Sequence, residues 1–454
     1  MKGRNSLRLA FYADDFTGST DALEQLARAG VQTMLFIAPP TRAQLKQFPL
    51  LEAVGVAGVT RSLPPDKMRA VLRPALKHLK DLGAPQVHYK VCSTFDSSPA
   101  IGSIGCVMEL GQRLFKAPFI PLLVGAPALG RYCLFGNLFA RMGIGSQGAI
   151  HRLDRHPSIS RHPITPMLEA DLRQHLAQQT KLKVALFDIL QVALPAAEAR
   201  AALRDLLAER PDAVLFDVLE AAHLAHIGGL LDERGSAQKP LFSVGSSGVE
   251  MALTAHWKAA GELRRSRAHL IKVRPVKQLL VGSGSCSPVT QQQMDWAMEH
   301  GFAEVALRAG VLAKATRTQA EMQRAVRATV ALLERGRSVI VHTTRKGSDR
   351  QVAEVLQQAT ASVLGTALGL VLRKVLLQAK VRRVCIAGGD TSSFAARAMG
   401  IKALEMVAPL VPGAPLCRAF APGSPADGLE VNFKGGQVGP KNYFGILKTG
   451  KLKT

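Results

Sequence analysis

Two adjacent carboxylates, Asp14 and Asp15, stand in Tyr12-Ala-Asp-Asp-Phe-Thr-Gly-Ser-Thr-Asp21, between an apolar run from Leu7 to Tyr12 and an amphipathic one from Ala22 to Gly30. A carboxylate at a strand end can orient a hydroxyl and accept its proton. Two cations end later apolar runs: Arg61 in Thr60-Arg-Ser62, and Lys90 in Tyr89-Lys-Val-Cys-Ser-Thr94, with Asp96 just beyond. If the strands are parallel, these groups reach one sheet edge, where Arg61 could take a carboxylate through two N–H bonds. A plainer reading is an internal Asp–Arg/Lys ion pair that pins two loops.

Four small-residue turns suit a second chemistry. They are Val244-Gly-Ser-Ser-Gly-Val249, Val281-Gly-Ser-Gly-Ser-Cys-Ser287, Ala387-Gly-Gly-Asp-Thr-Ser-Ser-Phe394 and Lys434-Gly-Gly-Gln-Val-Gly439. Each follows an apolar run, and most open a helical pattern. Backbone N–H groups at a helix start, with glycines admitting close approach, make a phosphate site. None has the Walker A pattern or the GxGxxG spacing of a dinucleotide fold, and each alone also fits a tight turn.

The elements that must carry these residues alternate between apolar runs and amphipathic stretches. Strands are expected at 33–38, 54–60, 86–93, 119–125, 183–189, 213–218 and 240–244, with helices at 65–82 and 195–209. A second series follows at 278–282, 303–307, 338–342, 383–387 and 429–433, with helices at 317–335 and 351–378. Ser19 or Thr20 is the expected cap of the first helix, with Gly18 in the turn before it. Pro and Gly between 409 and 428 predict an irregular loop. The alternation predicts an α/β protein of two domains, each a largely parallel sheet flanked by helices, with the active site in the cleft between them. A basic segment at 264–275 marks the junction, giving domains over 1–262 and 275–454.

Composition narrows the partners. With 454 residues and 47% hydrophobic content the chain can build two cores. The six cysteines form no CxxC pair, which fits reduced thiols, and no apolar run is long enough for a membrane span. Met1–Asn5 shows no signal-peptide apolar region, so a cytoplasmic location is expected. A formal charge of +24 draws in anions, but aromatics are only 5% and do not interleave with the basic clusters. An anionic small molecule is the expected partner rather than nucleic acid or membrane, and self-association is left open. His151, His156 and His162 fall in a polar stretch that reads as a solvated loop or substrate cover, without the spacing of a zinc site.

The motifs taken together resemble the four-carbon acid sugar kinase family, which phosphorylates threonate, erythronate, 3-oxo-tetronate and related acids with ATP. The likeness runs through Ala13–Gly18, Thr60–Ser62, Tyr89–Thr94, Gly125–Arg131, Thr165–Met167, Gly245–Gly248, Gly388–Thr391, Pro412–Pro415 and Lys434–Gly439. It implies that the N-terminal domain holds the acid sugar and the C-terminal domain the nucleotide. Asp14 and Asp15 would then be catalytic. Arg61, Lys90, Ser93, Thr94 and Asp96 would bind the substrate. Ser246, Gly388, Gly389, Asp390, Thr391 and Gly436 would bind ATP, with Asp390 a contact for Mg2+. Relatives usually carry Lys-x-Asp-Ser-Thr followed by Leu-Arg-Gly. Here Cys92 replaces the aspartate and Phe95-Asp-Ser-Ser98 follows, which points toward a branched oxo-acid such as 3-oxo-isoapionate. Two other readings remain open at this point: a basic RNA-binding protein without turnover, and a sugar-acid oxidoreductase, the latter disfavoured by the missing dinucleotide fingerprint.

Overall fold

The computed structural model describes residues 7–142, 148–161, 165–263, 272–312, 315–343 and 361–451. The chain divides into two compact units: Met1–Thr33 with Pro39–Ser266, and Met34–Ala38 with Arg267–Thr454. Arg264–Arg267 and the expected helical residues 351–360 lie outside the described residues.

In the first unit, strands β1 (Leu9–Ala13), β3 (Ala53–Ala57), β4 (Gln86–Lys90), β5 (Ile120–Leu123), β9 (Val184–Phe187), β10 (Ala213–Phe216) and β11 (Leu241–Gly245) form a parallel sheet. Their order is β3-β1-β4-β11-β5-β10-β9. β1, β3, β4 and β11 are buried along their whole length, as strands covered by helices on both faces must be. One core gathers Leu72 and Leu76 from helix Pro65–Asp81, Val107 and Phe115 from helix Ile104–Phe115, and Val87, Tyr89 and Phe242 from the sheet. Burying each such side chain stabilises the fold by roughly 1.5–3 kcal/mol before entropy is counted. The register sets Ala13 beside both Ala57 and Lys90, Lys90 beside Gly245, and Gly245 beside Leu123. The segments leaving β1, β3, β4, β11 and β5 therefore start level, at one sheet edge.

A small antiparallel sheet went unexpected: β6 (Arg131–Leu134), β7 (Asn137–Arg141) and β8 (Ile150–Arg152). Its strands are too short for their alternation to register as a pattern. Phe135 and Gly136, at φ 49 and 81, make the turn between β6 and β7. Asp217 secures it by accepting from their backbone N–H groups at 2.5 and 3.0 Å.

The second unit holds β12 (Leu280–Ser283), β13 (Ala303–Ala306), β14 (Val339–His342), β15 (Arg383–Ala387), β16 (Ala403–Val411), β17 (Ala414–Phe420) and β18 (Glu430–Lys434). The order β13-β14-β12-β15-β18 is parallel; β17, β16 and the Leu35–Phe36 part of β2 (Thr33–Phe36) continue it antiparallel. The hairpin β16–β17 corrects the irregular loop expected over 409–428. Pro409 sits where the ladder slips register, so no hydrogen bond is lost to it, and Pro412-Gly413 makes the turn with Gly413 at φ 77. Only 421–428 is turn.

Candidate active site

Asp15, not Ser19 or Thr20, caps the first helix, which begins at Phe16 rather than Ala22. Its extended backbone (φ −140) lets the carboxylate accept from Gly18 N–H at 2.6 Å, so the cap comes from the acid itself and the helix enters the edge of the sheet directly. Gly18 therefore lies inside the helix. A methyl there would come 2.6 Å from Asp15 Oδ1 and 3.1 Å from Lys90 Nζ. Its absence lets the ammonium and the carboxylate share one small space.

The two aspartates have unlike surroundings. Asp15 Oδ2 pairs with Arg61 Nη1 at 2.8 Å, across a guanidinium that stays a third exposed. Asp14 is 4% exposed, and its Oδ1 is buried without a hydrogen-bond partner. Burial, then the charge of Asp15, pushes the Asp14 carboxyl up to about 7, against the pull of Arg61 and Lys90. The Arg61 backbone N–H donates to Asp14 O at 3.1 Å, and Asp14 N–H donates to Lys90 O at 2.9 Å. Arg61 is itself held well above the ordinary arginine value, chiefly by Asp15.

Lys90 is buried at 2% exposure; its Nζ donates to Val91 O at 2.9 Å and lies 3.6 Å from Asp21 Oδ2. Burial works against its charge, but Asp21, Cys92, Asp15 and Asp14 outweigh it and raise its pKa. Asp21 was not singled out from sequence, although it closes the same motif. Both cations expected to grip a substrate carboxylate are thus already engaged by carboxylates of the chain.

The loop after β4 is tightly packed. Ser93 and Thr94 are buried, and Cys92 Sγ lies 3.0 Å from Thr94 Oγ1, with burial and Asp96 pushing the thiol up to about 11. Phe95 takes a left-handed backbone (φ 57) with its ring fully buried edge-on to His175. Ser97 Oγ lies 2.9 Å from His175 Nε2, and Gln179 Nε2 reaches both at 2.9 Å. Burial pushes His175 down to about 4, so it is neutral at pH 7. This frame turns Asp96, part-exposed, toward the charges of Asp14 and Arg61, both of which feel it.

Ser246, at the end of β11, lies in the first unit with these residues. Its hydroxyl donates to Val124 O at 2.7 Å and accepts from Gly248 N–H at 3.0 Å, while the neighbouring Ser247 Oγ is buried without a partner. His156 departs from the solvated loop expected of its segment. It is 3% exposed, and its Nδ1 accepts from the N–H groups of Ser158 and Ile159 at 3.3 Å. His162 lies outside the described residues.

The second unit brings three small-residue turns together. Ser283 lies beside Ala387, and Ala387 beside Lys434, so β12, β15 and β18 end level. Gly388 has φ 122, a backbone that L side chains rarely adopt, and a methyl there would come 3.1 Å from Thr391 Oγ1 and 3.4 Å from Ser285 N. Its N–H donates to Lys434 O at 2.9 Å, and its carbonyl accepts from Ser392 N and Oγ. The helix Gly389–Ala398 follows at once, opening its first-turn N–H groups to the edge. Gly436 lies against Ser285 and Ser287. Lys434, which sequence reading did not assign, is fully buried; its Nζ donates to Thr290 Oγ1 at 2.8 Å, whose hydroxyl in turn donates to Gly436 O at 3.0 Å. Burial pushes the lysine down to about 8. The side chain of Asp390 is outside what is described.

A paired-carboxylate edge in one unit and a cluster of glycine-lined strand-to-helix turns in the other are the arrangement a small-molecule phosphotransferase needs. The family description "sugar-binding N-terminal domain" matches residues 9–253, and "nucleotide-binding C-terminal domain" matches 280–444. The chain belongs to the four-carbon acid sugar kinase family. It is 44% identical to a 3-oxo-isoapionate kinase of Paraburkholderia graminis, over 98% of this chain and 95% of that one. It is 29% identical to a 3-oxo-tetronate kinase of Pseudomonas savastanoi pv. phaseolicola, over 96% and 95%. A solved Haemophilus influenzae structure of the DUF1537 family shares the fold, with TM-score 0.70 and 23% identity over 97% of this chain and 99% of that one. The RNA-binding and oxidoreductase readings find no support in these relatives.

Proposed function

We propose that the chain transfers the terminal phosphoryl group of ATP to a hydroxyl of a small sugar acid, with Asp14 as the general base. The observation that carries this is the buried Asp14 carboxylate, unpartnered at Oδ1 and pushed up to about 7, at the sheet edge of the sugar-binding half. A base needs a free oxygen and a pKa near the working pH. Asp15 is spent on the helix cap and on Arg61, so it positions rather than abstracts. The hydroxyl proton passes to Asp14, the acceptor oxygen bonds to phosphorus, and the bond from phosphorus to the bridging oxygen breaks with ADP leaving. Lys90 and Arg61 temper the negative charge of the aspartate pair, which keeps Asp14 ionised often enough to act.

In the second unit, Gly388, Gly389, Thr391 and Gly436 cradle the phosphates through backbone N–H groups, on the evidence of a turn that a methyl would fill. Lys434 stiffens the Gly436 turn from beneath. Asp390, at that helix start, would be the acid to hold Mg2+, which when bound would supply positive charge to offset that of the phosphates. The identity to the Paraburkholderia protein, together with Cys92 and Asp96 in the loop after β4, favours 3-oxo-isoapionate or a similarly branched oxo-acid as substrate.

The test is ADP release by the purified chain with a panel of 3-oxo-isoapionate, 3-oxo-tetronate, threonate and erythronate. Turnover on one or more is expected, best on the branched acid. No acid-dependent ADP release across the panel would sink the reading.

A further inference from the structure

Arg131 follows β5 by way of the turn Pro127–Leu129 and opens β6, at the same edge of the first unit as Lys90 and Asp14. Its side chain is buried at 5% exposure. Nη1 is fixed by three carbonyls: Leu129 at 2.9 Å, Arg141 at 3.2 Å and Gly130 at 3.4 Å. Nε is buried and donates to nothing, Nη2 has no hydrogen bond among the described residues, and no carboxylate there pairs with it. Burial lowers its pKa, and the charges that offset this belong to Cys92, Asp96 and Asp21, all groups of the site just described. Arg131 also shares a row of the small sheet with Ala140 and His151, and the His151 ring lies 5.6 Å from that of His156. Because His156 Nδ1 accepts two backbone N–H bonds, its proton is on Nε2, leaving a neutral donor whose titration feels Arg131.

A buried cation whose Nε–H donates to nothing is costly unless something anionic completes it. The idle Nε–H and Nη2–H are the two sides of a fork that fits one carboxylate. Arg61 and Lys90 each already pair with a carboxylate of the chain, Asp15 and Asp21, whereas Arg131 pairs with none among the described residues. We propose that Arg131 receives the carboxylate of the sugar acid through this fork, with His156 as a neutral neighbour, while Arg61 and Lys90 tune the aspartate pair. The inference rests on sugar-acid phosphorylation being the reaction.

The test compares the best acid of the panel with its neutral carboxamide, in the full chain and in Arg131→Gln. The variant is expected to raise KM for the acid about 10- to 100-fold, leave KM for ATP within about twofold, and lose the preference for acid over amide. Because Nη1 also ties three carbonyls, thermal melting is measured alongside. If the glutamine variant does not fold, Arg131→Lys keeps the charge without the fork and is expected to raise the acid KM about tenfold. A folded variant that keeps the wild-type KM and preference overturns the inference and leaves the kinase reading intact. A wild-type chain that turns over no sugar acid overturns both.

Discussion

Asp14 and Asp15 are neighbours in sequence and differ in chemistry, because one is buried with an oxygen left unpartnered and the other meets an N–H and a guanidinium. Asp14→Asn keeps the shape and removes the proton acceptor, so kcat should fall by about 10²–10⁴. The wild-type kcat/KM should rise with pH up to about 7, where Asp14 loses its proton, since only the carboxylate accepts one. A profile flat from pH 5.5 to 8 would remove Asp14 as the base. The same group has a stability signature. Its folded pKa lies above the unfolded 3.8, so the stability it contributes at low pH is lost as pH climbs through about 7. Asp14→Asn should therefore melt higher than wild type at pH 8, with the gap closing toward pH 4. Asp15→Ala acts in the opposite sense. Losing a helix cap costs about 0.5–2 kcal/mol, read as a lower Tm; an unchanged Tm would mean that the cap contributes nothing.

At the scale of elements, the proposed phosphate cradle rests on backbone shape more than on side chains. Gly388 at φ 122 joins β15 to its helix in a conformation that a side chain strains by about 1–3 kcal/mol. Gly388→Val should raise KM for ATP at least about tenfold, while KM for the sugar acid moves little, because only one substrate meets that turn. Equal changes in both would indicate a general loss of structure. Lys434 beneath the Gly436 turn adds an alkaline limb. Its pKa is lowered to about 8, so above that pH the charge near the phosphate turn is lost and KM for ATP should climb. In Lys434→Met that alkaline dependence should vanish.

For the whole molecule, the charge of +24 is the property without a single address. A positive field concentrates anionic substrates and is screened over about 8–10 Å at 0.1–0.15 M salt. Raising KCl from 20 to 300 mM should lower kcat/KM for both ATP and the sugar acid several-fold and leave kcat nearly untouched. A salt effect confined to kcat would place the field's influence in the chemical step instead.

The sequence by itself determined the α/β class, the largely parallel sheets and which polar residues stand at the strand ends. Apolar runs such as Leu9–Ala13 and 384–387 are buried throughout, and Asp14, Lys90 and Gly388 each stand at the end of a buried strand or just past it. Only the tertiary structure decided which of these groups is free. Asp15 and Asp14 differ through Gly18 N–H and Arg61, contacts three and forty-six residues from Asp15 along the chain. The β16–β17 hairpin was hidden because Pro409 and Pro412 read as breakers, yet in the fold they occupy a register slip and a turn where no ladder bond is needed. Arg131 appeared in sequence as part of a motif without a task. Its idle Nε became visible once β5, β6 and the carbonyl of Arg141 enclosed it, because burial and partnership are properties of residues distant in the chain that the fold alone brings together.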